Sequence, residues 1–137
     1  MDVLNDGNTR YLPIQKGQVA CECNHDVVAE LDGSLVVKDN LQMALLIGGS
    51  SGSRNLFFAT LERRTARVAI TMPRALVRGA IHVKLARDAQ SFLSIEASNF
   101  IPVTDATVQY LNLDDEPSDN VVAFVNRDYI SSLAFEG

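Results

Sequence analysis

Residues 48–52 have the spacing of a catalytic serine. They fit the pattern G-x-S-x-G, with Ser50 at its centre, and they follow an apolar run, as the nucleophile of a serine hydrolase does at a strand-to-helix turn. That chemistry also needs a histidine base that a carboxylate orients. His25 precedes Ser50, and Glu62 is the only carboxylate residue between Ser50 and His82. Because glycine and serine are equally typical of loops, the sequence favours a loop here over a hydrolase.

A second group of reactive side chains, Cys21, Cys23 and His25, falls on one face of a predicted strand. All three are metal ligands, and zinc needs about four such groups at roughly 2.0–2.3 Å. Strand geometry keeps these three apart, and His82 is the only other histidine, so we predict no metal site and no cofactor. Alternate residues of one strand also fit disulfide geometry poorly, and two reduced thiols are typical of a cytosolic protein.

The charged residues are segregated along the chain. The net charge is −5, yet residues 54–87 contain eight of the 12 basic residues and one of the 17 acidic ones. The basic band of this segment and the acidic loop that follows form the predicted interaction surface. Arginine binds phosphate and carboxylate groups in a bidentate way, so the partner is expected to be an acidic protein face, such as the acidic loop of another copy, or nucleic acid. The alternative is that these side chains are dispersed and pair locally with the abundant acids. The basic band consists of Arg54, Arg63, Arg64, Arg67, Arg74, Arg78, Lys84 and Arg87, and the acidic loop consists of Asp114, Asp115, Glu116 and Asp119.

Length and composition are those of one folded domain. With 137 residues, of which 47% are hydrophobic and 21% charged, the chain is long enough to bury a core. We predict a single domain over residues 1–137, in which residues 1–12 form an extended N-terminal arm. The polar, acidic start is unlike a secretory signal, and the longest apolar run, 43–47, is far shorter than the roughly 20 residues of a membrane span. These features predict a cytoplasmic protein with no membrane partner.

Alternation of apolar and polar residues predicts strands. Odd positions from Val19 to Leu31 are mostly apolar and even positions mostly polar, which indicates two strands with a turn near residues 24–26. Asp32-Gly33 predicts a further hairpin turn. We therefore predict an all-β fold, a sandwich or partly closed barrel of about eight to eleven short strands with at most one or two helical turns. The later apolar runs are 56–61, 67–72, 80–86, 92–97, 107–113, 121–125 and 130–135.

Three segments also have features of helices. Asp39 and Ser53 are suitable N-caps for helices over 39–47 and 54–64, although both segments are also rich in residues typical of strands. For these two segments the sequence leaves helix and strand as open alternatives. A short helical turn is predicted over 73–78, since it begins with a proline and is followed by a glycine.

The sequence predicts a non-enzymatic structural or protein-binding module that assembles with further copies of itself, as part of a larger assembly such as a virion. The reasons are the lack of a complete catalytic set, the high apolar fraction, the segregated charge, and the strand edges that such a fold must cover or pair. One alternative is a nucleic-acid-binding regulator that uses the basic band, with Phe57 or Phe58 stacking on bases. A serine hydrolase at Ser50 is the other alternative.

Overall fold

The computed structural model describes residues 2–20, 27–46, 64–111 and 118–136. Strands account for 64% of the structure and form two antiparallel sheets in a sandwich-like arrangement that does not close into a barrel. The predicted all-β class is therefore confirmed. None of the helices in these four ranges has the length and apolar character needed to cross a bilayer.

The described elements are eight strands with short helices and helical turns between some of them. In chain order they are helix α1 (Asp2–Asn5), strands β1 (Tyr11–Ala20) and β2 (Val27–Val37), a 3-10 turn (Lys38–Asn40), β3 (Met43–Leu46), β4 (Arg64–Met72), β5 (Ala75–Val83), helix α2 (Ala89–Ser91) with its π-helical continuation (Phe92–Glu96), β6 (Phe100–Tyr110), β7 (Ser118–Asn126), a 3-10 turn (Arg127–Tyr129) and β8 (Ser132–Glu136).

The larger sheet has six strands in the order β3-β7-β6-β5-β4-β8. Alternation along each strand directs one set of side chains into the main core. On β5, Val77, Ile81 and Val83 are buried, whereas Arg78, on the opposite face, is exposed. Phe92, from the π-helical segment, is buried in the same core. The core is therefore built mainly from β-branched residues, which fit a pleated surface.

Strand β7 is buried on both faces. Val121, Ala123 and Val125 belong to the main core, while Val122 and Phe124 belong to a second cluster with Leu4 and Phe100. Residues 1–12, for which the sequence predicts an extended arm, include helix α1, whose buried Leu4 covers this second face. The N-terminus and the start of β1 thus supply part of the core.

The structure corrects three local predictions. Asp32 and Gly33 do not form a hairpin turn; they lie inside β2, where Gly33 has a φ of 72°, a value that glycine adopts without a steric cost. Segment 73–78 is a tight turn leading into β5, not a helical turn, and segment 92–97 is mostly π-helical, not a strand. Segment 39–47, left open between helix and strand, forms β3 over Met43–Leu46. Segment 54–63 and the turn predicted near 24–26 lie outside the described residues.

Candidate functional site

Strands β1 and β2 form a two-stranded sheet of their own. They pair from Tyr11 opposite Val37 to Val19 opposite Ala29, and neither pairs with any other strand of the described ranges. Eight residue steps at about 3.3 Å each make this ribbon roughly 26 Å long. None of the described side chains on the two strands is fully buried. The β1–β2 hairpin is therefore an arm rather than a layer of the main core.

The base of the hairpin is fixed to the domain by a buried lysine. The Lys38 N–H donates to the Arg10 carbonyl oxygen at 2.9 Å, which continues the pairing beyond Tyr11. The Lys38 ammonium group donates to Thr9 Oγ1 at 2.8 Å and to the Asp6 carbonyl oxygen at 3.2 Å. Leu12 packs against the second core cluster. These contacts hold the arm at its base.

Large apolar side chains on the hairpin are exposed. Near the base, Tyr11 and Leu35 share the face opposite to Leu12, and Leu35 is 65% exposed. Farther out, Val28 is 67% exposed and Leu31 is also exposed. An isolated two-stranded hairpin is only marginally stable in water, and contiguous apolar surface on a folded protein marks a contact region.

The outer half of the hairpin carries its charges. Lys16 lies opposite Asp32 across the ladder, whereas Glu30 lies opposite the neutral Gln18. Opposite charges on facing strand positions attract each other, so Asp32 faces a cation directly. Glu30 faces a neutral side chain and has Lys16 only at the diagonal position.

A second exposed apolar patch lies beyond the end of β5. An open depression of about 480 Å³ contains Leu85 and Ile95 in its lining. These two side chains are 78% and 83% exposed, higher fractions than those of the exposed hairpin side chains. The lining residues are His82, Lys84, Leu85, Ala86, Ser91, Ile95 and Glu96.

Backbone N–H groups shape this depression by binding the Glu96 carboxylate. Its Oε2 accepts from the Lys84 N–H at 2.9 Å, and its Oε1 accepts from the N–H groups of Leu85 and Ala86, the latter at 2.6 Å. Three successive N–H groups converging on one anion form a nest. The nest ties the chain after β5 to the π-helical segment and uses both carboxylate oxygens of Glu96.

The other carboxylate near the depression also serves the backbone. Asp88 caps helix α2, its Oδ1 accepting from the Ser91 N–H at 2.8 Å. Hydrogen bonds from the Ser91 backbone and side chain hold the pKa of Asp88 below its ordinary value. The exposed Lys84 forms no ion pair with a carboxylate of the described residues. Lys84 is therefore a cation of this surface that no described carboxylate neutralises.

The basic band is spread over the larger sheet instead of forming one cluster. Arg74 and Lys84 lie at opposite ends of β5, roughly 30 Å apart at about 3.3 Å per residue. Arg67 and Arg78 project from the face of β4 and β5 that points away from the main core, and Arg87 is exposed between β5 and α2. Arg64 begins β4, and Arg54 and Arg63 lie outside the described residues.

Two acidic residues accompany the basic band on the outer face of the sheet. Arg78 Nε lies 3.6 Å from a carboxylate oxygen of Glu136 on β8. Asp119, the described member of the acidic loop, lies on β7 and accepts from Thr107 Oγ1 at 2.8 Å. Asp114, Asp115 and Glu116 lie outside the described residues. Part of the band thus pairs locally, which is the alternative that the sequence left open.

The residues considered for catalysis and metal binding are mostly outside the described ranges, including Ser50, Cys21, Cys23 and His25. Within those ranges no three His, Cys, Asp or Glu side chains are grouped as a metal site requires. The depression brings His82, Ser91 and Glu96 to one surface. Glu96 accepts from the backbone N–H groups of residues 84–86, and Ser91 is hydrogen-bonded to Asp88.

Comparison of the chain with family models, with curated proteins and with solved structures finds no match in any of the three. The sequence predicts strands in the region of the hairpin but not the exposure of their apolar side chains, and it does not single out the pair Leu85 and Ile95. The signal for the hairpin was present in the alternation from Val19 to Leu31, but alternation alone does not reveal whether a second layer covers the apolar face.

Proposed function

We propose that this protein is a non-enzymatic structural module that self-assembles through its β1–β2 hairpin. The observation that carries the proposal is that the hairpin pairs with no other described strand while it exposes Leu31 and Leu35. Two-stranded ribbons of this kind gain stability when another surface covers them. The hairpin is held at its base by Lys38, so it is presented in a defined direction.

Burial of the exposed side chains supplies the driving force for assembly. Fully burying a leucine or valine side chain that was fully exposed contributes about 1.5–3 kcal/mol. The hairpin has several such side chains that are partly to mostly exposed, namely Val27, Val28, Leu31 and Leu35. Their burial works against the loss of translational and rotational freedom on association, so we expect the degree of assembly to depend on protein concentration.

Further copies of the same chain are the partner we propose. Every copy carries the same exposed arm, and most soluble assemblies are built from identical subunits related by symmetry. The spread of the basic band along β5, together with the pairing of Arg78 with Glu136, favours contact with protein over contact with nucleic acid. A cytoplasmic location and a role as a component of a larger particle, such as a virion, belong to the same proposal.

Light scattering coupled to size-exclusion chromatography tests this function. We expect the wild-type mass to rise with concentration toward a multiple of the 15.0 kDa chain, and the double variant Leu31→Ser, Leu35→Ser to remain a monomer. Leu111→Ser is the matched control, because Leu111 is also exposed but follows β6. A wild-type protein that stays monomeric at millimolar concentration would overturn the proposal.

A further inference from the structure

We infer that the hairpin of one copy docks into the Leu85–Ile95 depression of a second copy, and that the edge of β2 that pairs with no other described strand enters the depression. This inference rests on the proposed function and names the surface that receives the arm. The two surfaces carry the most exposed large apolar side chains in the described ranges: Val28 and Leu35 on the arm, Leu85 and Ile95 in the depression.

The outer edge of β2 is better suited to this contact than that of β1. Pro13 interrupts the donors of β1, since proline has no N–H group. Strand β2 contains no proline. Neighbouring residues of a strand point to opposite faces, so an edge-on approach presents Leu31 to one wall of the depression and Glu30 to the other. The edge of β2 can therefore make an apolar contact through Leu31 and an ionic contact through Glu30 at the same time.

Charge complementarity supports the same pairing. Glu30 faces the neutral Gln18 within its own hairpin, and Lys84 lies in the lining of the depression. Asp88 and Glu96 are the first two carboxylate residues that follow Lys84 in the sequence, and backbone N–H groups bind both of them. A Glu30–Lys84 ion pair between copies gives each side chain an opposite charge and fixes the register of the arm.

The contact joins two different surfaces of the chain. It either closes as a two-fold dimer that contains two reciprocal contacts or continues head to tail into a ring. In both arrangements each copy gives one arm and receives one arm. The contact thus uses both exposed apolar surfaces in every subunit, and the mass of the assembly distinguishes the dimer from the ring.

A charge-swap experiment tests the inference by sedimentation equilibrium. We expect Glu30→Lys and Lys84→Glu each to weaken association by about tenfold or more, and the double variant that carries both to recover most of the affinity. Ile95→Ser should also weaken association. Gln109→Glu is the control for an added negative charge, since Gln109 is exposed on β6 and lies outside the basic band, and it should associate like the wild type.

The outcomes separate this inference from the proposed function. If Leu31→Ser, Leu35→Ser dissociates the assembly but Lys84→Glu and Ile95→Ser leave it intact, the depression is not the receiving surface and the inference is wrong, while the assembly function stands. A double charge swap that associates no better than the single variants would likewise overturn the inference. Unchanged circular dichroism spectra show that each exposed substitution leaves the fold intact.

Discussion

Asn5 binds the backbone of Phe100 with both polar atoms of its side-chain amide. Its Oδ1 accepts from the Phe100 N–H at 2.8 Å, and its Nδ2 donates to the Phe100 carbonyl oxygen at 3.1 Å. The amide thereby satisfies the backbone at the start of β6 as a neighbouring strand would. Leu4, the preceding residue, is buried against Phe100 in the second core cluster. This pair of residues joins the N-terminus to the sheet.

Replacing Asn5 with alanine is expected to destabilise the protein. The change removes both hydrogen bonds. The Phe100 carbonyl oxygen keeps its hydrogen bond from Ser98 Oγ at 2.7 Å, so the cost falls mainly on the N–H group, and we expect the free energy of unfolding to fall by about 1–3 kcal/mol. Urea denaturation followed by circular dichroism measures the change. Asn8→Ala is the control, because Asn8 is exposed and its hydrogen bond to Asp6 uses the backbone N–H. Equal stabilities of the two variants would contradict the role given to Asn5.

Lys38 is expected to anchor the hairpin. Lys38→Met keeps most of the buried aliphatic stem but removes the ammonium group that binds Thr9 Oγ1 and the Asp6 carbonyl oxygen. We expect a loss of about 1.5–3 kcal/mol in the free energy of unfolding, as is usual for hydrogen bonds to charged groups. The same substitution at the exposed Lys16 should change stability by less than about 0.5 kcal/mol. Thermal unfolding of both variants measures the two changes, and equal losses of stability would contradict the role given to Lys38.

Glycine at position 79 is required by the close approach of β6 to β5. A Cβ atom there would lie 2.7 Å from Val103 Cγ1 and 2.8 Å from the Thr104 carbonyl oxygen. The pairing of the two strands shifts register at this point, and Asp105 has a φ of 49°. We expect Gly79→Ala to lower the free energy of unfolding by about 1–3 kcal/mol. Gly7→Ala, where nothing lies within 4 Å of the added atom, should change it little.

The cap of α2 is expected to give the protein an acid-sensitive site. Hydrogen bonds from Ser91 lower the pKa of Asp88 from its ordinary value of 3.8. Because the folded pKa is the lower one, the ionised carboxylate favours the folded state; this contribution is complete above pH 3.8 and is lost as the pH falls through the folded pKa. An NMR titration of the Asp88 carboxyl group should show a rise in its pKa in Ser91→Ala. An unchanged pKa in that variant would contradict the assignment.

The fold class could be predicted from the sequence because apolar and polar residues alternate regularly along the central strands. On β5, Ile81 and Val83 alternate with His82 and Lys84, and the structure buries the former pair. The hairpin turn predicted at Asp32-Gly33 is wrong because the same glycine that permits a tight turn also tolerates a positive φ inside a strand. The strand predicted over 92–97 is wrong because a short apolar run does not distinguish a strand from a buried helical turn.

The candidate site was less accessible to sequence reasoning than the fold. Charge order along the chain identified the basic band, but strand geometry distributes its members over both ends of β5. The exposure of Leu35 and Leu85 depends on which surfaces have no covering layer, and that is a property of tertiary packing. The binding of Glu96 by three N–H groups of residues 84–86 likewise depends on the path of the chain after β5.

Hydrogen–deuterium exchange of the β1–β2 hairpin as a function of protein concentration tests the central claim most directly. The claim is that another copy covers this arm, so the backbone amides of the hairpin should exchange more slowly as the concentration rises, while those of β6 and β7, which are paired on both sides in the larger sheet, should keep the same rates. Hairpin amides whose exchange rates are the same from micromolar to millimolar concentration would contradict the account.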